Sequence, residues 1–418
     1  MNPKILWSYD FTVIVLGSFV SLVGSTLSNF AMSLVMLDYT GSTFLYMLFM
    51  VVFQLPALVC PVLAGPWLDR VSRKKVIYCL DFLSAGIYFL LFLLLQNGWF
   101  SYPVLLAGSL LIGTINSVYS VAYGSFYPNL ISEGNFSKAY AVDSILFDAA
   151  ALTAPLAAAL YSWLGNAAVL FAIDAVSFFI AACFEVSIRY RETHMENAAP
   201  LTAQSAASQF KKDFQEGAAY IRSEKGLLIA LYFMVSSVAG SAEQLQLPYF
   251  LNHAHRFAAW PVAVATLYAV LLNCTVAGRF LGGLVQYRIK VPAERRFSVA
   301  LFVYVMIGLL SGTVLFLPVP LMAVSFFLQG ILGITSYTIR TAATQSYVPD
   351  AKRARFNGTF QMMSAVGGAV GSLTVGALGE ILPERAVLLG ADALVLAAAY
   401  LFIYRGREEV KRVYNREI

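Results

Sequence analysis

Two acids, Asp148 and Glu243, interrupt long apolar runs in which an ionised group is costly. A charge at the centre of a bilayer costs about 2.5–3.5 kcal/mol on insertion scales. At about 1.5 Å per helical residue, Asp148 falls near the middle of its run and Glu243 in the outer half of its own. Such acids can take up and release protons as water reaches them from alternate sides, or can stay permanently paired or protonated as structural groups. Asp174 and Asp392 are equally deep, but they recur in both halves of the chain, which points to a shared packing or hydrogen-bonding role. Arg340, near one end of a run, could bind an anionic cargo or pair with an acid. Asn29, Gln54, Asn116, Tyr119, Gln244, Asn273, Tyr337 and Gln361 are placed to line a cavity or to bond between helices.

No hydrolytic or metal chemistry is expected. The chain lacks a Gly-x-x-x-x-Gly-Lys-(Ser/Thr) phosphate loop, so it does not hydrolyse ATP itself. Its three histidines, His194, His253 and His255, have no zinc-protease spacing and fall on opposite faces of the membrane. Cys60, Cys79, Cys183 and Cys274 lie within apolar runs at unrelated spacings and form neither a disulfide framework nor a metal site. No catalytic residue and no cofactor is therefore assigned. If the embedded acids exchange protons across a membrane, the expected energy source is a proton gradient, whose electrical part supplies about 2.3 kcal/mol per charge per 100 mV.

The elements that hold these groups are membrane helices. Only 12% of the 418 residues are charged and 59% are hydrophobic, against about a quarter charged in soluble domains. Twelve apolar runs, near 11–37, 42–67, 75–97, 102–124, 138–163, 166–188, 226–252, 260–287, 297–317, 320–345, 356–381 and 386–404, approach the ~20 residues that cross a bilayer. They do not alternate apolar and polar residues as barrel strands would, so the fold class is all-α. The first run is too long for a cleavable signal peptide and lacks a small-residue cleavage site. With the runs placed alternately, every Lys and Arg except Arg256, Arg279, Arg340 and Arg385 falls on the side of the two termini. That asymmetry predicts cytoplasmic termini. The net charge of +5 is a topology signal, and no basic stripe suited to nucleic acid is present.

The stretch Gly65-Pro66-Trp67-Leu68-Asp69-Arg70-Val71-Ser72-Arg73-Lys74-Lys75 sets one acid and four bases in a turn between two apolar runs, which marks a membrane face. The chain also repeats itself at a shift of about 218 residues. Val169–Val176, around Asp174, matches Val387–Leu394, around Asp392, and Ser125–Asn129 matches Ser346–Asp350. Gly65–Arg70 matches Gly282–Tyr287, where Gln286 stands in place of the acid. Polar residues 189–225 separate the halves, linker-like from Glu196 to Gln209 and then amphipathic, with Phe210, Phe214, Gly217 and Ile221 opposite Lys211, Lys212 and Glu216. The expected domains are a six-helix bundle over 1–188, a linker with a surface helix over 189–225, and a second bundle with a tail over 226–418.

The 65–75 turn resembles the loop between helices 2 and 3 of the major facilitator superfamily, with Ser72 where that family has glycine. The resemblance implies twelve transmembrane helices in two pseudo-symmetric six-helix bundles, with a substrate site at mid-membrane between them. It further implies that Asp69 meets the N-terminus of helix 11, near Arg355–Thr359, and closes the cytoplasmic side, with Gly65, Arg70, Arg73, Lys74 and Lys75 shaping the turn. Asp81 and Asp143 lie close enough to the basic cluster to form salt bridges. Ala149–Ala159 with Pro155 resembles the bend signature of superfamily antiporters, with alanines replacing glycines. Val20–Ser25 with Thr40-Gly41-Ser42, Phe53–Pro56, and Phe214–Gly217 through Leu228 are similar to the branch that contains macrolide-efflux proteins and enterobactin-type siderophore exporters. These readings predict a monomeric, proton-coupled antiporter in a bacterial inner membrane that exports an amphiphilic small molecule by alternating access. An importer, a facilitator or a lysophospholipid transporter is the alternative within the class, and a non-transporting membrane sensor the alternative outside it.

Overall fold

The computed structural model describes residues 6–68, 71–99, 101–132, 136–192, 203–288 and 291–415. The described elements are helices, and twelve of them are long and apolar enough to cross a membrane. These spans run Tyr9–Thr40, Thr43–Cys60, Arg73–Gln96, Tyr102–Leu130, Ile145–Leu164, Ala168–Val186, Gly226–Asn252, Val264–Gln286, Ala293–Phe316, Val319–Thr344, Phe356–Gly379 and Glu384–Tyr404. Local chemistry sets their ends. Ser8 accepts from the Phe11 N–H at 3.2 Å to start the first helix. Gly41, at φ 59°, ends it by donating its N–H to Leu37 O at 2.9 Å.

Several spans are interrupted, two of them beside a proline. The second breaks at Leu55, before Pro56, into helices Thr43–Gln54 and Pro56–Leu68, because proline has no N–H for the ladder. The fifth breaks at Leu152–Thr153, two residues before Pro155, into Phe136–Ala151 and Ala154–Leu164. In the seventh, the segment Ser241–Leu245, which carries Glu243, tightens to a 3₁₀ helix between Ile229–Gly240 and Gln246–Asn252. The linker helix spans Ala203–Ser223 and begins earlier than the amphipathic pattern predicts, since Ala203, Ala206 and Ala207 favour helix.

Contacts group the chain into two compact units. One comprises Met1–Gly41, Val52–Ser208 and Pro261–Thr266, and the other Ser42–Val51, Gln209–Trp260 and Leu267–Ile418. The first half of the second span therefore belongs with the second unit. In the first unit the sixth span packs on the first and third, and the second on the fourth. In the second unit the seventh span packs on the eleventh, and the ninth on the tenth and twelfth. A short amphipathic helix, Arg407–Tyr414, docks under the second unit, where Tyr414 and Tyr304 share a hydroxyl hydrogen bond of 2.8 Å.

Candidate functional site

The charged turn is built around a carboxylate that the sequence reading did not single out. Ser72 is the N-cap of the third span, and its hydroxyl accepts from the Lys75 N–H at 3.2 Å. That hydroxyl also donates to Glu192, which accepts from the Arg73 N–H at 2.9 Å and the Lys74 N–H at 3.4 Å. An acid thus sits on the unpaired amides at the positive end of the helix. Ser72, where the resemblance leads one to expect glycine, is a capping residue. Arg73 donates to Ser125 O at 3.1 Å, Lys74 donates to Ile188 O, and Lys75 is exposed. Gly65 lies in helix Pro56–Leu68, while Asp69 and Arg70 lie outside the described residues.

Among the described residues, Asp81 pairs with no base of the cluster. It is 1% exposed, and its carboxyl lies beside that of Glu185, itself fully buried. The reason is geometric: Lys74 reaches Ile188 O instead, which leaves Asp81 turned toward the sixth span. Tyr119 OH donates to Glu185 Oε1 at 3.1 Å, while Asp81 Oδ2 and Glu185 Oε2 are buried without partners. Asp143 accepts from Tyr123 OH at 3.2 Å and from no base among the described residues. Asp174 accepts from Ser28 and, at 2.9 Å, from Ser177.

The second unit repeats this chemistry. Glu243 accepts from Ser311 Oγ at 3.1 Å and stands near Asp392, whose Oδ2 is buried without a partner. Gly312 makes room for that carboxyl, since a Cβ at this position would lie 2.7 Å from Asp392 Oδ2. Gln244 donates to Ser372 Oγ at 3.3 Å. Asp148, in the first unit, is half-buried, and its carboxyl has no hydrogen-bond partner among the described residues. Asn29, Gln54, Asn116 and Gln361 are exposed along their spans, and Asn273 is half-buried.

Cations are handled differently. The guanidinium of Arg340 is met by aromatic rings and by no carboxylate among the described residues. Arg256 and Arg385, at the far end of the second unit, both donate to Tyr249 OH and to Leu315 O, the latter at 2.8 and 3.1 Å. At the same end Glu380 accepts from Ser42 Oγ at 2.7 Å and from the Phe44 N–H at 2.8 Å, capping the second span. Gly376 faces Met47 and Phe44, and Gly379 faces Thr43, so the two helices pack closely there. The signal for Glu380 was faint: one acid directly after a glycine-rich helix.

Chemically, this arrangement offers carboxyls held by hydroxyls inside apolar spans, suited to gaining and losing protons. No cluster of His, Cys, Asp and Glu able to hold a metal occurs among the described residues. A family model described as transmembrane secretion effector matches residues 6–413. The chain is 26% identical to an uncharacterized MFS-type transporter, YkuC, of Bacillus subtilis (strain 168), over 54% of this chain and 52% of that protein. It is 28% identical to macrolide efflux protein A of Streptococcus pyogenes, over 54% of each. These matches span about half the length of both relatives. Among solved structures, the nucleoside transporter NupG (D323A mutant) superposes with a TM-score of 0.69 at 14% identity, covering 94% of this chain and 98% of that one. A POT family transporter in complex with 5-aminolevulinic acid gives 0.70 at 12% identity, covering 96% of each chain. At these identities the structures speak to the fold alone.

Proposed function

Because the chain belongs to the major facilitator superfamily, among its transmembrane secretion effectors, we propose that it exports an amphiphilic small molecule in exchange for protons. Transport across a bilayer follows from the family. Direction, coupling and cargo are our reading. The observation that carries the coupling is that embedded carboxyls lie close together in each unit, with a hydroxyl on one of them and no cation beside them among the described residues: Tyr119 donates to Glu185 beside Asp81, and Ser311 to Glu243 near Asp392. A charge without a counter-ion is strongly disfavoured there, so each site exchanges protons with whichever side admits water.

Export is supported by the macrolide efflux relative, and an amphiphilic cargo by an aromatic content of 14%. Asp148 and Glu243 remain our coupling acids, and Asp69 our cytoplasmic latch, with the termini in the cytoplasm of a bacterial cell and the protein acting as a monomer. The test is pH-driven efflux of a macrolide from proteoliposomes. Wild type should respond to the gradient, and Glu243→Gln and Asp148→Asn should each lose coupling while keeping downhill exchange. Proton coupling retained in both variants would remove the assignment.

A further inference from the structure

Arg340 lies four residues before the end of the tenth span, about 6 Å inside it. Its guanidinium carbon is 4.8 Å from the ring centre of Phe233 on the seventh span, 4.6 Å from Phe360 on the eleventh and 5.5 Å from Tyr337 on its own helix. These rings hold the cation by its charge, but they accept none of its five in-plane N–H donors. Nε is buried with no acceptor, and no other side chain or carbonyl among the described residues takes a hydrogen bond from the group. The neighbouring hydroxyls of Tyr304 and Tyr414 bond to each other at 2.8 Å instead. An embedded cation in this state is incomplete, since its Nε–H has left water without gaining a partner.

The site is also open. Arg340 is only half-buried, and Tyr337, one turn away, is 58% exposed. An anion entering past Tyr337 would meet a planar fork of donors whose geometry matches carboxylate, phosphate or sulfonate oxygens. Beside the fork lie aromatic faces for an apolar body. We propose that Arg340, Phe233, Phe360 and Tyr337 form a recognition site for the anionic group of an amphiphile. The role of that amphiphile as cargo rests on the transport reading; the chemistry of the site does not. The same group could arrive on a transported molecule or on a phospholipid head.

The probes are 1-pyrenebutyrate and its neutral counterpart 1-pyrenebutanol, titrated against the full chain in phosphatidylcholine nanodiscs at neutral pH and low salt. Wild type should bind the acid more tightly than the alcohol by roughly tenfold or more. Arg340→Gln should bring the two affinities together. Arg340→Lys, which keeps charge without the fork, should leave a reduced preference. Equal affinities in wild type would overturn the proposal without recourse to any variant, and so would a preference that survives in a folded Arg340→Gln. In phosphatidylglycerol nanodiscs, loss of acid binding that Arg340→Gln abolishes would identify a lipid head as an occupant; undiminished binding would identify the free amphiphile. Preferential binding of the acid without its pH-driven uptake in proteoliposomes would uphold the anion site and count against the transport reading alone.

Discussion

The carboxylate of Glu380 closes the first turn of the second span from 336 residues away. The Phe44 N–H is one of the amides at a helix start that has no acceptor within its own helix. Glu380→Ala removes the acceptor of that amide and of Ser42 Oγ. Loss of an N-terminal cap costs about 0.5–2 kcal/mol, and solvent screening of the exposed Glu380 puts this one in the lower half of the range. Local opening should then become roughly 2- to 8-fold more frequent. Glu380→Gln keeps an acceptor and loses only the charge at the positive end of the helix, so its effect should be about 2-fold and should shrink with added salt. The assay is amide hydrogen exchange over residues 43–46, corrected for intrinsic rates. Hydrogen bonds to the ionised carboxyl, first of all from the Phe44 N–H, hold Glu380 below the usual glutamate range. A carboxyl lowered by folding stabilises fully above its unfolded value and loses that contribution as pH falls through its folded value. Protection should therefore be flat from neutral pH to about pH 5 and decline only below about pH 4. Unchanged exchange in Glu380→Ala, or the same acid decline in Glu380→Gln, would refute the assignment.

Two further variants probe the helix start and the acid pocket, with thermal unfolding in nanodiscs as the readout. Glu192→Ala should destabilise the start of the third span by about 1–2 kcal/mol, while Ser72→Gly should cost a few tenths; equal losses would show that Glu192 is not the principal cap. Gly312→Ala places a Cβ against Asp392 Oδ2 and should cost about 1–3 kcal/mol. Adding Asp392→Ala should recover much of that loss, and strict additivity of the two would discount the contact.

The spans were legible because a bilayer demands long, charge-free runs, and the chain supplies twelve. Their breaks were legible wherever proline marks them, as at Pro56 and Pro155. Pairings were harder to read, because a linear pattern fixes which helix face a residue occupies but not which neighbour reaches it first. Asp81 shares a face with Lys74, yet the lysine is taken by the carbonyl of Ile188 and the acid by Glu185. Glu192 follows the sixth span in what looks like the start of a polar linker, and it acts on amides more than a hundred residues earlier. Arg340 was visible as an embedded cation, but the two rings from other helices that hold it, Phe233 and Phe360, were indistinguishable from core until the helices came together.

The first half of the second span also bears on how the protein is made. Its buried residues Tyr46, Met47, Phe49 and Val51 belong to the second unit, and Met47 packs against Gly376. Translation at about 5–20 residues per second means that this partner emerges roughly twenty seconds to a minute after Met47. For that interval the tip of the second helix is inserted without its native neighbours and must be held by lipid or by an assisting protein. Pausing or truncating synthesis before the eleventh span should leave this tip, alone within the first six spans, open to protease.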